Sequence, residues 1–103
     1  APSTVTETAG ARRDDRKQAA QARAALASRT RPLRIEIQGI DERLERLAAE
    51  RAEIEGTLAV PGMSGLQIAD AGRRLNHIAA ETAMLEERWL ELQSQIEAMT
   101  TAG

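Results

Sequence analysis

IADAGRRLNHIAAETAMLEERWLELQSQIEAM, residues 68–99, decides the fold. Ile68, Ala71, Leu75, Ile78, Thr82, Leu85, Trp89, Leu92, Ile96 and Met99 fall on one line at alternating spacings of three and four. That alternation is the seven-residue repeat of a narrow coiled-coil seam. A helix with such a stripe cannot bury it alone. Upstream, Leu33, Ile37, Ile40, Leu44, Leu47, Arg51, Ile54 and Leu58 keep the same spacing, interrupted in type only at Arg51. Between the two stripes lies Ala59-Val60-Pro61-Gly62-Met63, with a strong breaker at Pro61-Gly62. Two seams joined by a short turn predict an all-α fold: an antiparallel two-helix coiled-coil hairpin with a basic N-terminal helical extension.

The hairpin is expected over 31–100, with helices at about 31–58 and 65–100. Ser64-Gly65-Leu66-Gln67 reads as a capping box at the start of the second helix, and Met63 and Ile68 stand where a hydrophobic staple would pack. An antiparallel register set by the turn places Ile54 near Ala71, Leu47 near Ile78 and Leu44 near Thr82. It continues with Ile40 near Leu85, Ile37 near Trp89 and Leu33 near Leu92. Ile96 and Met99 then overshoot toward Arg29 and Leu26, and Arg51 meets Leu75 with its stem on the seam and its charge outward. Glu42–Arg46 and Arg46–Glu50 are expected as exposed pairs within the first helix.

Upstream of the hairpin the pattern changes. Residues 1–10 are small and polar and read as a disordered linker or vector remnant. Residues 11–30 form a basic arm, rich in the helix formers Ala, Arg and Gln but without an apolar stripe, so partial helicity is expected. Thr30-Arg31-Pro32 predicts a break or kink, because the residue before proline resists the α region. Thr30 would cap the helix that follows.

Composition narrows the function. With 103 residues, no Phe, no Tyr, one Trp and no Cys, the chain has no thick aromatic core, no disulfide framework and no thiol chemistry. No apolar run approaches a membrane span and no secretory h-region precedes the arm, so a cytoplasmic setting is expected. A chain that starts at Ala is expected to be excised from a longer protein. Residues 1–35 hold eight Lys or Arg against three acids, a balance of +5; residues 36–103 hold six against thirteen, a balance of −7. A basic arm thus sits on an acidic hairpin.

No residue set points to catalysis. His77 is the single histidine and has no companions at ligand spacing, so no metal site is expected. Glu81, Glu86, Glu87 and Glu91 read as a solvated helix face rather than paired carboxylates. No G-x-x-x-x-G-K-[ST] loop is present, and Gly62-Met63-Ser64-Gly65 is a turn. Trp89 fits the repeat and is assigned to the seam rather than to a stacking platform. On a helix at 100° per residue, Arg12, Arg16 and Arg23 fall within about 40°, and Arg13 and Lys17 widen the arc to roughly 140°. Such an arc fits a phosphate backbone; it equally fits a solubilising connector.

Arg12-Arg13-Asp14-Asp15-Arg16-Lys17, then Arg31-Pro32-Leu33-Arg34-Ile35-Glu36-Ile37, then Glu86-Glu87-Arg88-Trp89-Leu90-Glu91-Leu92 resemble the C-terminal domain of ABC-F ATPases. These have two ATP-binding cassettes and no membrane domain. The resemblance implies a parent that binds ATP and Mg²⁺ and acts on ribosomes. It implies that this domain is an accessory contacting ribosomal RNA or DNA; from its own residues the domain is expected to hold no cofactor, to be monomeric and to meet no membrane. The implied contacts are Arg12, Arg13, Arg16, Lys17 and Arg23. The sequence departs from that pattern in having a single arm lysine and no acidic-aromatic segment at Ala59–Gly65. The alternative is a protein-interaction or dimerisation coiled coil with no nucleic-acid role.

Overall fold

The computed structural model describes residues 2–102, with side chains from Thr8 onward. Two helices, α1 (Pro2–Leu58) and α2 (Gly65–Thr101), fold back on each other as an antiparallel hairpin. The molecule is a rod of 91 × 20 × 15 Å. α1 is 57 residues and α2 is 37, so the length is that of α1 alone and its N-terminal part runs on unaccompanied.

The seam forms in the expected register. Ile37, Ile40, Leu92 and Ile96 make a buried cluster, with Leu33, Leu44, Leu85 and Trp89 packed against it. Leu47 and Ile78 are buried one step nearer the turn. Trp89 is therefore a core residue, although its indole Nε1–H is buried with no hydrogen-bond partner. The overshoot is present too: Leu26 and Arg29 line one cavity with Met99 and Thr100. Toward the turn the seam loosens. Ile54 and Leu58 are half-buried, and Ile68 stays 51% exposed, leaving the expected staple open. The buried seam thus runs from the arm end to the Leu47–Ile78 step and fades toward the turn.

The turn follows its local chemistry. Gly62 takes φ +114°, a conformation that a Cβ disfavours, directly after Pro61. Ser64 then caps α2 as a complete capping box. Its Oγ accepts from the Gln67 backbone N–H at 3.1 Å, and its own N–H donates to Gln67 Oε1 at 2.8 Å.

The expected break at Thr30-Arg31-Pro32 is absent: Pro32 lies inside α1, which continues through it. Proline removes the N–H that Ser28 C=O would accept and crowds the preceding turn, at a cost of about 3 kcal/mol. Thr30, 1% exposed, does not cap a new helix. Its Oγ1 donates backward to Leu26 C=O at 3.0 Å and accepts from Arg34 Nε at 3.4 Å. α2 packs on both sides of the proline, with Leu92 and Ile96 against Leu33 and Ile37 and with Met99 beside Leu26. That packing splints the helix where local preference would break it. Residues 11–30 are helical without interruption, and the expected loose segment 1–10 belongs to α1 from Pro2; Ala1 lies outside the described residues.

Two substitutions separate these effects. Pro32→Ala should raise the unfolding free energy by about 1–3 kcal/mol, because α1 keeps its geometry and regains a hydrogen bond. Leu92→Ala, at a position with 0% exposure, should lower it by about 2–5 kcal/mol. Chemical denaturation followed by circular dichroism measures both.

Candidate nucleic-acid interface

The site is built on the unaccompanied part of α1. α2 ends at Thr101, beside Leu26 and Arg29, so the helix from Pro2 to about Ala22 extends beyond it by roughly 30 Å at 1.5 Å per residue. Arg12, Arg13, Arg16 and Lys17 lie on this overhang, and Arg23 lies at its root; all five are exposed. Because α1 is continuous, they keep one helical phase, and Arg12, Arg16 and Arg23 form a single line. Arg16 Nε reaches back to Arg12 C=O at 3.4 Å along that line. Asp14 and Asp15 fall outside the arc of the five cations.

The structure does not treat the five alike. Arg12, Arg13, Arg16 and Lys17 project from a bare helix. Arg23 shares a cavity with Met99 and Thr100, against the C-terminal end of α2. That end carries the helix's partial negative charge, which favours a cation beside it. Arg23 is the member of the set that the hairpin itself helps to hold.

Below the arm, one flank of the hairpin is closed by ion pairs between the helices. Arg88 binds Glu36 through Nε at 2.7 Å and through Nη2 at 3.0 Å. Arg43 binds Glu81 at 2.5 and 2.9 Å, and Arg74 binds Glu50 at 2.6 Å through both nitrogens. Glu36, Arg43 and Glu50 are seven apart on α1, and Arg74, Glu81 and Arg88 are seven apart on α2. Signs alternate along each row, so a slip of one heptad would place like charges together. Glu50 is thus taken by Arg74 across the hairpin rather than by Arg46, and Glu42 accepts from Gln38 at 3.5 Å rather than pairing with Arg46. Glu81 is a partner in this ladder, not a free member of a solvated face. Arg51 turns outward to Glu55 at 2.9 Å, as its place on the seam implies.

These pairs set the titration behaviour. Hydrogen bonds from Arg88, Arg74 and Arg43 hold the carboxyls of Glu36, Glu50 and Glu81 below their ordinary value of 4.5. Among the described residues no three His, Cys, Asp or Glu side chains group around a metal position, and no helix is long and apolar enough to cross a membrane.

A long helix doubled back on a shorter one, with paired charges on one flank and a basic overhang, defines a coiled-coil accessory module. Its family follows from comparison: the chain belongs to the ABC transporter C-terminal domain family, whose profile matches residues 28–94. No curated protein and no solved structure matches the chain significantly. The matched stretch holds the hairpin from Ser28 to Ser94 and leaves all five arm cations outside it.

The ladder generates a pH dependence. Each of the three carboxyls ionises more readily in the folded chain than in the unfolded one. Their stabilisation is complete above about pH 4.5 and is lost as pH falls through the lower folded values. The melting temperature in low salt should therefore fall as the pH drops below about 4.5. In Glu36→Gln/Glu50→Gln/Glu81→Gln that fall should be much shallower.

Proposed function

We propose that the chain is a nucleic-acid- or ribosome-binding accessory domain of an ABC-F type ATPase, non-catalytic in itself. The observation that carries this reading is the overhang: four exposed cations on a helix that no second helix accompanies, with a fifth at its root. Phosphate contacts need cations that are reachable and not already spent on carboxylates, and the hairpin's own arginines Arg43, Arg74 and Arg88 are spent in that way. The stretch 36–103, at −7, repels a phosphate backbone and directs it to the arm. With no aromatic residue in the arm, bases are not stacked there, so binding is sequence-tolerant. Family membership supports attachment to an ATPase that supplies ATP and Mg²⁺ chemistry, and the ABC-F assignment rests on the arm, the Pro-Leu step and the late Trp in order. In this reading the domain is monomeric and cytoplasmic and contacts ribosomal RNA or DNA.

If Arg12, Arg13, Arg16, Lys17 and Arg23 each meet a phosphate, log K should fall with log[salt] at a slope of about −4 to −5 on duplex DNA. Arg12→Gln/Arg13→Gln/Arg16→Gln should weaken binding and flatten that slope by nearly three units. The circular dichroism of the hairpin should stay almost unchanged, since α2 does not reach these residues. Equal binding by the variant and the parent chain would reduce the arm to a connector.

A further inference from the structure

The two flanks of the hairpin are built differently. One carries the alternating ladder of Glu36–Arg88, Arg43–Glu81 and Glu50–Arg74. On the other, Asp41 of α1 and Glu86 of α2 line one cavity together, and neither has a hydrogen-bond or ion-pair partner. Like charges at facing coiled-coil flank positions disfavour the pairing they border. Here they stand where the opposite flank places opposite charges throughout.

Next to this acidic pair the flank opens. Ala48 and Ala52 of α1 and Ala79 and Ala83 of α2 take the positions that long side chains occupy on the ladder side. Between these small residues a groove of about 450 Å³ runs over Leu47 and Ile78, which the two helices already bury, with Leu75 continuing it toward the turn and Thr82 away from the turn. Glu55 and Glu86 stand at its rim; the rim's one cation, Arg51, is already bound to Glu55. Leu90, 61% exposed, borders the acidic pair. The groove is apolar along its floor, acidic along its edge and runs parallel to the helix axes.

We infer that this flank is a docking groove for a third helix, a basic amphipathic one supplied by a protein partner. Alanines on both walls let a helix backbone approach to the spacing of packed helices, with its large apolar side chains filling the notch over Leu47 and Ile78. Lysine or arginine at the border of its apolar stripe meets Asp41 and Glu86 and relieves the repulsion between them. A phosphate backbone is excluded by the rim. The arm of a second copy supplies cations but, among its described side chains, no large apolar residue except Leu26, which is committed to α2. This site is independent of the nucleic-acid reading, because it uses none of the arm residues.

The test uses the full chain and an 18-residue helical peptide with a leucine stripe bordered by lysines, beside the same peptide with glutamates at the borders. Fluorescence anisotropy should show micromolar binding of the lysine peptide and at least tenfold weaker binding of the glutamate peptide. Asp41→Asn/Glu86→Gln should weaken the lysine peptide about tenfold. Glu53→Gln/Glu87→Gln, which removes the same charge elsewhere on the hairpin, should change it less than twofold. Ala52→Gln/Ala83→Gln should abolish binding while circular dichroism shows both helices intact. Absence of lysine-peptide binding, equal losses in the two charge variants, or full binding by the alanine variant would overturn the inference. A dimer of the unliganded chain that becomes monomeric on Ala52→Gln/Ala83→Gln would also overturn it, by assigning the flank to a second copy.

Discussion

Each helix has one apolar stripe, and the only surface wide enough to bury it belongs to the other helix. That mutual burial is the constraint on which the structure depends. It fades toward the turn: Ile37, Ile40, Leu92 and Ile96 cluster next to the arm and Leu47 and Ile78 are buried midway, while Ile54, Leu58 and Ile68 near the turn are half-buried or exposed. The turn is closed by local means, a glycine at positive φ and a capping box. The arm end is closed by packing. Since burial of apolar area supplies most of the available stabilisation, the hairpin is anchored where its basic extension emerges.

This placement decides what happens at Pro32. Left to local preference, residues 30–32 break a helix. Packed by α2 above and below, they continue one. The buried Thr30 hydroxyl hydrogen-bonds back to Leu26 C=O, and Met99 reaches past the proline to line a cavity with Leu26. The arm consequently projects as a direct extension of α1, with its cations in a fixed helical phase, rather than as a tether. A basic face on a helix in line with the hairpin has a defined direction relative to whatever the hairpin adjoins.

Much of this was legible in the residues. The two stripes, the Pro61-Gly62 turn and the Ser64–Gln67 box are periodic or local signals, and each led to the right element. The register followed from the turn, because antiparallel neighbours are fixed once the turn is placed. The continuity of α1 was not legible, since it depends on tertiary packing that overrides the penalty at Pro32. The ladder was present as Glu36, Arg43 and Glu50 against Arg74, Glu81 and Arg88, but it is found only when the two heptads are read against each other. Reading Glu42–Arg46 and Arg46–Glu50 along one helix missed it. Of the arm residues, sequence placed all five on one arc, while the junction of Arg23 with the end of α2 needed the overshoot to be seen in three dimensions.

The register within one chain underlies both the direction of the arm and the contrast between the two flanks, and Arg43–Glu81 reports it most directly. Unfolding free energies should be compared for the parent chain, Arg43→Glu, Glu81→Arg and the exchanged pair, in low salt with the mass followed by sedimentation. Each single reversal sets like charges face to face within the Arg43–Glu81 rung and should destabilise; the exchange should recover more than half of the combined loss as a monomer. Losses that simply add, or a dimeric mass for the parent chain, would contradict the intramolecular register described above.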